Sequence, residues 1–245
     1  MDTTHLVLLF LAIGVIALLY SSVGHAGASG YIATMTLFGL APAVIRPTAL
    51  MLNILVASIG TFQFWRAGHF SWKLFWPFAL LSIPAAYLGG YLQPSASVLR
   101  ILIGVVLLFS AARLLFRRRD PMETSPPSVP VAVAVGAGLG FLAGLTGTGG
   151  GIFLTPLLLF CEWARIREAA AVSALFIWVN SVAGLVGYFT KVHSVPSLGL
   201  VLAAAAIIGG IIGSHLGSKH LAVRVISLCL ATVLLIAGVK LICTG

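Results

Sequence analysis

Leu145-Thr146-Gly147-Thr148-Gly149-Gly150-Gly151 sets two hydroxyls and four glycines between the apolar stretches 131–145 and 152–160. Glycine costs a helix about 1 kcal/mol relative to alanine, so four within about five positions predict a break. At membrane depth a break leaves backbone N–H and C=O groups that lipid cannot satisfy; it persists only inside protein or along a polar cavity. The amides freed at the start of the next helix form a positively polarised pocket suited to an anion. Tight packing through small residues is the competing reading. Gly136, Gly140 and Gly144, spaced four apart on one face, are read as packing. The denser run differs because it has a degenerate partner, Gly24-His25-Ala26-Gly27-Ala28-Ser29-Gly30.

The polar side chains expected deep in spans are neutral: Ser22, His25, Ser29, Asn53, Thr61, Gln63, Thr146, Thr148, Ser173, Asn180 and Ser181. No Asp, Glu, Lys or Arg is expected there, whereas carriers that couple through a buried carboxylate show one. Hydroxyl, amide and backbone donors can hold an oxyanion without a permanent buried cation. The candidate substrate-binding set is Gly24, His25, Gly27, Ser29, Asn53, Thr146, Gly147, Thr148, Gly149, Gly150, Gly151 and Asn180, with both glycine regions meeting near the bilayer midplane. For Asn53 and Asn180 the alternative is interhelical glue. His25 is the ionisable side chain within the glycine regions, and an anion and a proton binding there together would suffice for proton coupling. Its alternative role is a hydrogen bond to freed backbone, and Na⁺ held by unwound carbonyls is another coupling route. Arg46 and Arg167 could draw anions into either mouth or anchor the helices at the interface.

These residues need elements to position them. With 60% hydrophobic and 8% charged residues and a mean hydropathy of +1.13, the chain reads as an all-α polytopic membrane protein. The net charge of +9 lies in short loops, as the positive-inside rule requires, and gives no reason to invoke nucleic acid. The start carries no basic residue before its apolar run, so the first segment is expected to be a retained helix. Cys161, Cys229 and Cys243 form no CxxC pair and read as small hydrophobes; no metal or cofactor set is evident.

Apolar segments fall at 6–22, 31–40, 48–65, 74–92 and 98–116, then at 131–145, 152–160, 169–189, 198–216 and 221–242. Pro42 and Pro47 bracket a predicted connector. The expected organisation is a first transmembrane repeat (1–116), a cytoplasmic linker (117–130) and a second repeat (131–245). An offset of 123 superposes Gly24 on Gly147 and Gly27 on Gly150. An offset of 124 superposes Gly60 on Gly184, His69 on His193, Gly89 on Gly213 and Arg100 on Arg224. That sustained register predicts two five-segment repeats, inverted because five is odd, with glycine-broken or re-entrant helices. A cytoplasmic linker places 10 of the 14 basic residues inside and both termini in the periplasm.

The sequence resembles the TauE/SafE sulfite-exporter family (the TSUP permeases). The resemblance is carried by Gly147-Thr148-Gly149-Gly150-Gly151 with Pro156, by the Gly24-His25-Ala26-Gly27 copy, by 65–72, and by Ile83-Pro84-Ala85-Ala86-Tyr87-Leu88-Gly89-Gly90. It implies transport of sulfite, sulfonates or related organosulfur anions across the bacterial inner membrane. The partners it implies are the small anion, the lipid bilayer and a coupling proton or Na⁺, with a homodimer as the candidate assembly. An anion or water channel is the first alternative, since broken half-helices serve a pore equally well. A membrane-embedded enzyme is the second, opposed by the lack of HExxH, paired acids or a Ser/His/Asp set.

Overall fold

The computed structural model describes residues 3–92, 124–191 and 197–222, with single positions at 108, 112, 224, 225, 228, 231, 232, 235 and 239. The predicted segments 98–116 and 221–242, the linker residues 117–123, His193, Cys229 and Cys243 therefore lie wholly or largely outside the described residues. Helices run α1 (Thr3–Ser21), α2 (Ala28–Leu37), α3 (Pro42–Arg66), α4 (Trp72–Tyr91), α5 (Val129–Thr146), α6 (Gly151–Phe160), α7 (Ile166–Phe189) and α8 (Ser197–His215). A π-helical turn, Leu216–His220, continues α8. Among the described residues there is no strand, and six helices (all but α2 and α6) are long and apolar enough to cross a membrane. The chain is an all-α multi-pass membrane protein.

α3 starts earlier than the sequence suggests, taking in both Pro42 and Pro47. Pro42 occupies the first helical position, where no intrahelical N–H is needed, and Pro47 removes only one early bond. The outer surface is apolar as well as the core: Val7, Leu11, Leu80, Leu88, Leu200 and Ile208 are exposed, and a small polar set, Thr48, Asn53, Ser173, Asn180 and Ser181, is fully buried among apolar residues. That arrangement suits lipid as solvent, because apolar side chains can face the hydrocarbon and polar ones are kept inside.

Glycines set the seams. Added Cβ atoms at Gly136, Gly140 and Gly144 of α5 would enter the carbonyls of Phe78, Ser82 and Ala86 on α4, so this row is packing. At the α1–α8 seam, Gly209, Gly213 and Gly217 press against the carbonyls of Gly14, Leu18 and Ser22. Gly89 lies on the Phe141 carbonyl as Gly213 lies on that of Leu18; the glycines differ by 124 and their partners by 123. α3 and α7 cross antiparallel at the centre. There Gly60 faces Ala174 (3.8 Å from an added Cβ) and Gly184 faces Leu50 (3.9 Å), again offset by 124.

Candidate functional site

Each glycine run docks near the start of the other half's long helix. A Cβ on Gly24 would run into the backbone of Ala170 on α7, and one on Gly147 would meet Arg46 Cγ on α3 at 2.9 Å. Arg46 and Ala170 differ by 124 in position.

The local chain path requires glycine where one helix ends and where the next begins. Gly147 ends α5 at φ 73°, its N–H donating to the Ala143 carbonyl, and Gly150 starts α6 at φ 82°. Both values lie in the left-handed region that side chains avoid. Backbone bonding resumes where Phe153 N–H and Leu154 N–H donate to the Gly150 carbonyl at 3.0 and 3.1 Å. Between these points, among the described residues, the amides of Thr148 to Ile152 donate to no backbone carbonyl. In the first run His25 N–H donates to Tyr20 and Tyr31 N–H to Gly27, both at 2.9 Å, and the amides of Ala26 to Gly30 are likewise without backbone acceptors. Both short helices thus begin with unpaired donors, where an anion is favoured.

Side chains tie the runs to the α3–α7 pair. His25 Nε2 lies 2.8 Å from Thr155 Oγ1, and the Thr155 hydroxyl donates to Ser173 Oγ at 2.7 Å. With that hydroxyl committed, Nε2 is the protonated nitrogen and Nδ1 is a bare acceptor, buried without a hydrogen-bond partner. Asn53 Nδ2 donates to the Thr148 carbonyl at 3.2 Å and lies 3.4 Å from Ser181 Oγ. A Cβ on Gly149 would fall among Ser181, Ile177 and Asn53, and one on Gly151 would meet Ile177. The two runs come together on Ile177, near the middle of α7: Ala26 and Ala28 of the first pack in one cluster with it, Gly149 and Gly151 of the second face its side chain, and the His25 ring lies beside the Gly151 backbone.

Several anticipated donors are already engaged. Ser29 Oγ donates to Tyr20 Oη at 3.0 Å, and Thr146 Oγ1 donates to the Leu142 carbonyl at 2.7 Å while contacting Thr148 Oγ1 at 2.8 Å. Asn180 Nδ2 donates back to the Phe176 carbonyl at 2.8 Å. Asn53 Oδ1 and Asn180 Oδ1 are left buried without partners, so both present acceptors rather than the donors expected from sequence. Gly27 (φ 107°) lies against its own helix, where a Cβ would meet the Tyr31 ring at 2.8 Å. Tyr31 Oη in turn donates to the Ala26 carbonyl at 2.6 Å.

Of the two roles expected for Arg46, the structure favours the anchor. Its Nη2 donates to the carbonyls of Gly89 (3.0 Å), Gly90 (3.1 Å) and Gly144, and Nη1 reaches that of Leu92 at 3.4 Å. The guanidinium lies 5.6 Å from the Tyr188 ring centroid, and Nε is buried without a partner. It is a half-buried charge joining the ends of α4, α5 and α7 to the start of α3, one residue contact from Gly147, rather than a free group at a mouth. Arg167, by contrast, donates to the Leu221 carbonyl at 2.9 Å. Sequence reasoning also missed Thr155, although it is the sole hydroxyl in the apolar stretch 152–160.

Comparison with known proteins finds relatives along nearly the whole chain. The family described as sulfite exporter TauE/SafE matches residues 9–241. A probable membrane transporter protein of Sinorhizobium fredii is 40% identical over 239 residues, covering 96% of this chain and 97% of that protein. Another from Bacillus subtilis is 25% identical over 238 residues, with 89% and 92% covered. A third, from Methanocaldococcus jannaschii, is 25% identical over 181 residues, with 70% and 67% covered. No solved structure matches the chain.

Proposed function

The chain belongs to the sulfite exporter TauE/SafE family and is a membrane transporter; from that premise we propose that it is a secondary carrier of sulfite, sulfonates or related organosulfur anions. The observation that carries this reading is the reciprocal docking of the two glycine runs, Gly24 on Ala170 and Gly147 on Arg46. Unpaired amides at the starts of α2 and α6 would hold an oxyanion between the runs, at the α3–α7 crossing. Two halves related by one offset, each resting on the other's long helix, are the kind of arrangement that alternating access rocks about a fixed site. The offset of 123 to 124, recurring in three separate sets of contacts, supports a duplication into repeats 1–116 and 131–245.

In this reading the linker 117–130 is cytoplasmic, both termini are periplasmic and the protein sits in a bacterial inner membrane. Arg46 then ties the periplasmic ends of α3, α4, α5 and α7 together. The test is uptake of radiolabelled sulfite, sulfoacetate and taurine by proteoliposomes. A carrier shows saturation and acceleration by unlabelled substrate on the opposite face. Flux that rises linearly without saturation would favour the channel reading, and no flux above empty vesicles for any sulfur oxyanion would sink the substrate class.

A further inference from the structure

We propose that a groove between α3 and α8 is a binding site for an anionic phospholipid, its phosphate held by Arg66 and Lys219. The groove encloses about 640 Å³ and is lined by Ser58, Ile59, Phe62, Gln63, Arg66, Ile211, His215 and Lys219. Its chemistry is split along its length. Phe62 (55% exposed) and Ile211 (47%) form an apolar floor on the outer faces of two spanning helices, continued by Ile208 (58%). Arg66 ends α3, and His215 and Lys219 lie where α8 passes into its π-helical turn, so the basic groups cluster at one end. Among the described residues no acidic one lines it. Exposed Trp65 and Trp72 stand at the same end, the level where aromatic residues meet headgroups. An acyl chain fits the floor, and a phosphate fits the basic end.

Gln63 shapes the upper wall. Its Nε2 donates to the Ile211 carbonyl at 3.2 Å, which ties α3 to α8. The repeat offset supplies an internal comparison. In the α4–α7 counterpart, Thr190 stands where Arg66 does and Tyr91 where His215 does, each 124 positions away. There Lys191 lies over the Tyr91 ring, 5.5 Å from its centroid, so that end's cation is engaged by an aromatic face, whereas Arg66 and Lys219 line the open groove. Basic clusters at the cytoplasmic level of a membrane attract anionic headgroups by about fivefold per charge.

The experiment is native mass spectrometry of the purified protein with equal amounts of phosphatidylglycerol and phosphatidylcholine of identical chains. Wild type should retain the anionic lipid over the neutral one by about 25-fold, from two basic residues at about fivefold each. Lys219→Gln should lower that preference about fivefold, and the Arg66→Gln/Lys219→Gln double variant should bring it near parity. Lys73→Gln, exposed at the same end but outside the groove, should leave it unchanged. Both groove charges are exposed, so unfolding temperatures in phosphatidylcholine alone should match wild type. A double variant that keeps the preference overturns the site, as does a Lys73→Gln variant that loses as much, which marks bulk surface charge. Displacement of the lipid by equimolar glycerol phosphate would overturn the lipid assignment in favour of a free anion.

Discussion

Replacing Gly150 by alanine asks the backbone to hold φ 82° with a side chain attached, and sets the new carbon 2.9 Å from Phe176 Cε1 and 3.0 Å from Ala143 Cβ. The left-handed conformation costs a side chain about 1–2 kcal/mol. Crowding a filled site costs about 1–3 kcal/mol more. Three companion alanines separate these contributions. Gly39 has φ 72° with nothing within 4 Å, so it isolates conformation. Gly136 has no positive φ but meets the Phe78 carbonyl, so it isolates crowding. Gly138 has neither, and alanine there should be neutral or stabilising by up to about 1 kcal/mol. Expected losses are about 2–5 kcal/mol for Gly150→Ala, about 1–2 for Gly39→Ala and about 1–3 for Gly136→Ala. Thermal unfolding in detergent ranks the four variants, and initial sulfite uptake in proteoliposomes reads the consequence for transport. Because the added carbon must displace Phe176 or shift the turn that starts α6, Gly150→Ala should lower uptake, and Gly150→Val should lower it further. A Gly150→Ala protein as stable as Gly138→Ala, with wild-type uptake, would refute the role given to this turn.

Further tests address the site's charges and the topology. His25 Nδ1 is a bare buried acceptor, and its aromatic titratable neighbour is Tyr20, with ring centroids 6.5 Å apart. A proton that enters together with the anion would sit there, balanced by the bound charge, so wild-type uptake of sulfoacetate should rise as pH falls from about 8 to about 5.5 while His25→Gln stays flat. A Gln variant with the wild-type pH profile would place the proton elsewhere. Arg46→Gln should lower the unfolding temperature by an amount equivalent to about 2 kcal/mol, the scale of one lost charged hydrogen bond. Arg46→Lys should recover less than half of that, because an ammonium cannot fork among the carbonyls of Gly89, Gly90 and Gly144; full recovery by Lys would show that charge alone matters. Ser125 is exposed, so Ser125→Cys in a background lacking the native cysteines should react with an impermeant maleimide only in inside-out vesicles. Labelling in intact cells would reverse the topology.

Much of the architecture was legible before any coordinates. Long apolar stretches without charges can only be helices in lipid, where the backbone must satisfy itself. The packing role of Gly136, Gly140 and Gly144 followed from their spacing, since residues four apart share a helix face. The offset that paired Gly89 with Gly213 reappears in the seams those residues form. Local chemistry also located the chain reversal at 147–150, because left-handed backbone favours glycine whatever surrounds it.

Tertiary structure decided who meets whom. Nothing in the order of residues says that Gly24 rests on Ala170 or that Gly147 rests on Arg46, since those contacts join positions more than 95 residues apart. The same holds for the chain from His25 through Thr155 to Ser173. Sequence names an asparagine as both donor and acceptor; only its neighbours determine that Asn53 and Asn180 each donate to a backbone carbonyl and keep a bare oxygen. Arg46 looked like a loop residue because a proline followed it, yet α3 runs through that proline and carries the guanidinium to the carbonyl ends of α4 and α5. The pattern along a chain specifies which surfaces are apolar and where the backbone must turn. The partner of a polar group depends on how rigid helices cross, and that geometry emerges only when all of them pack together.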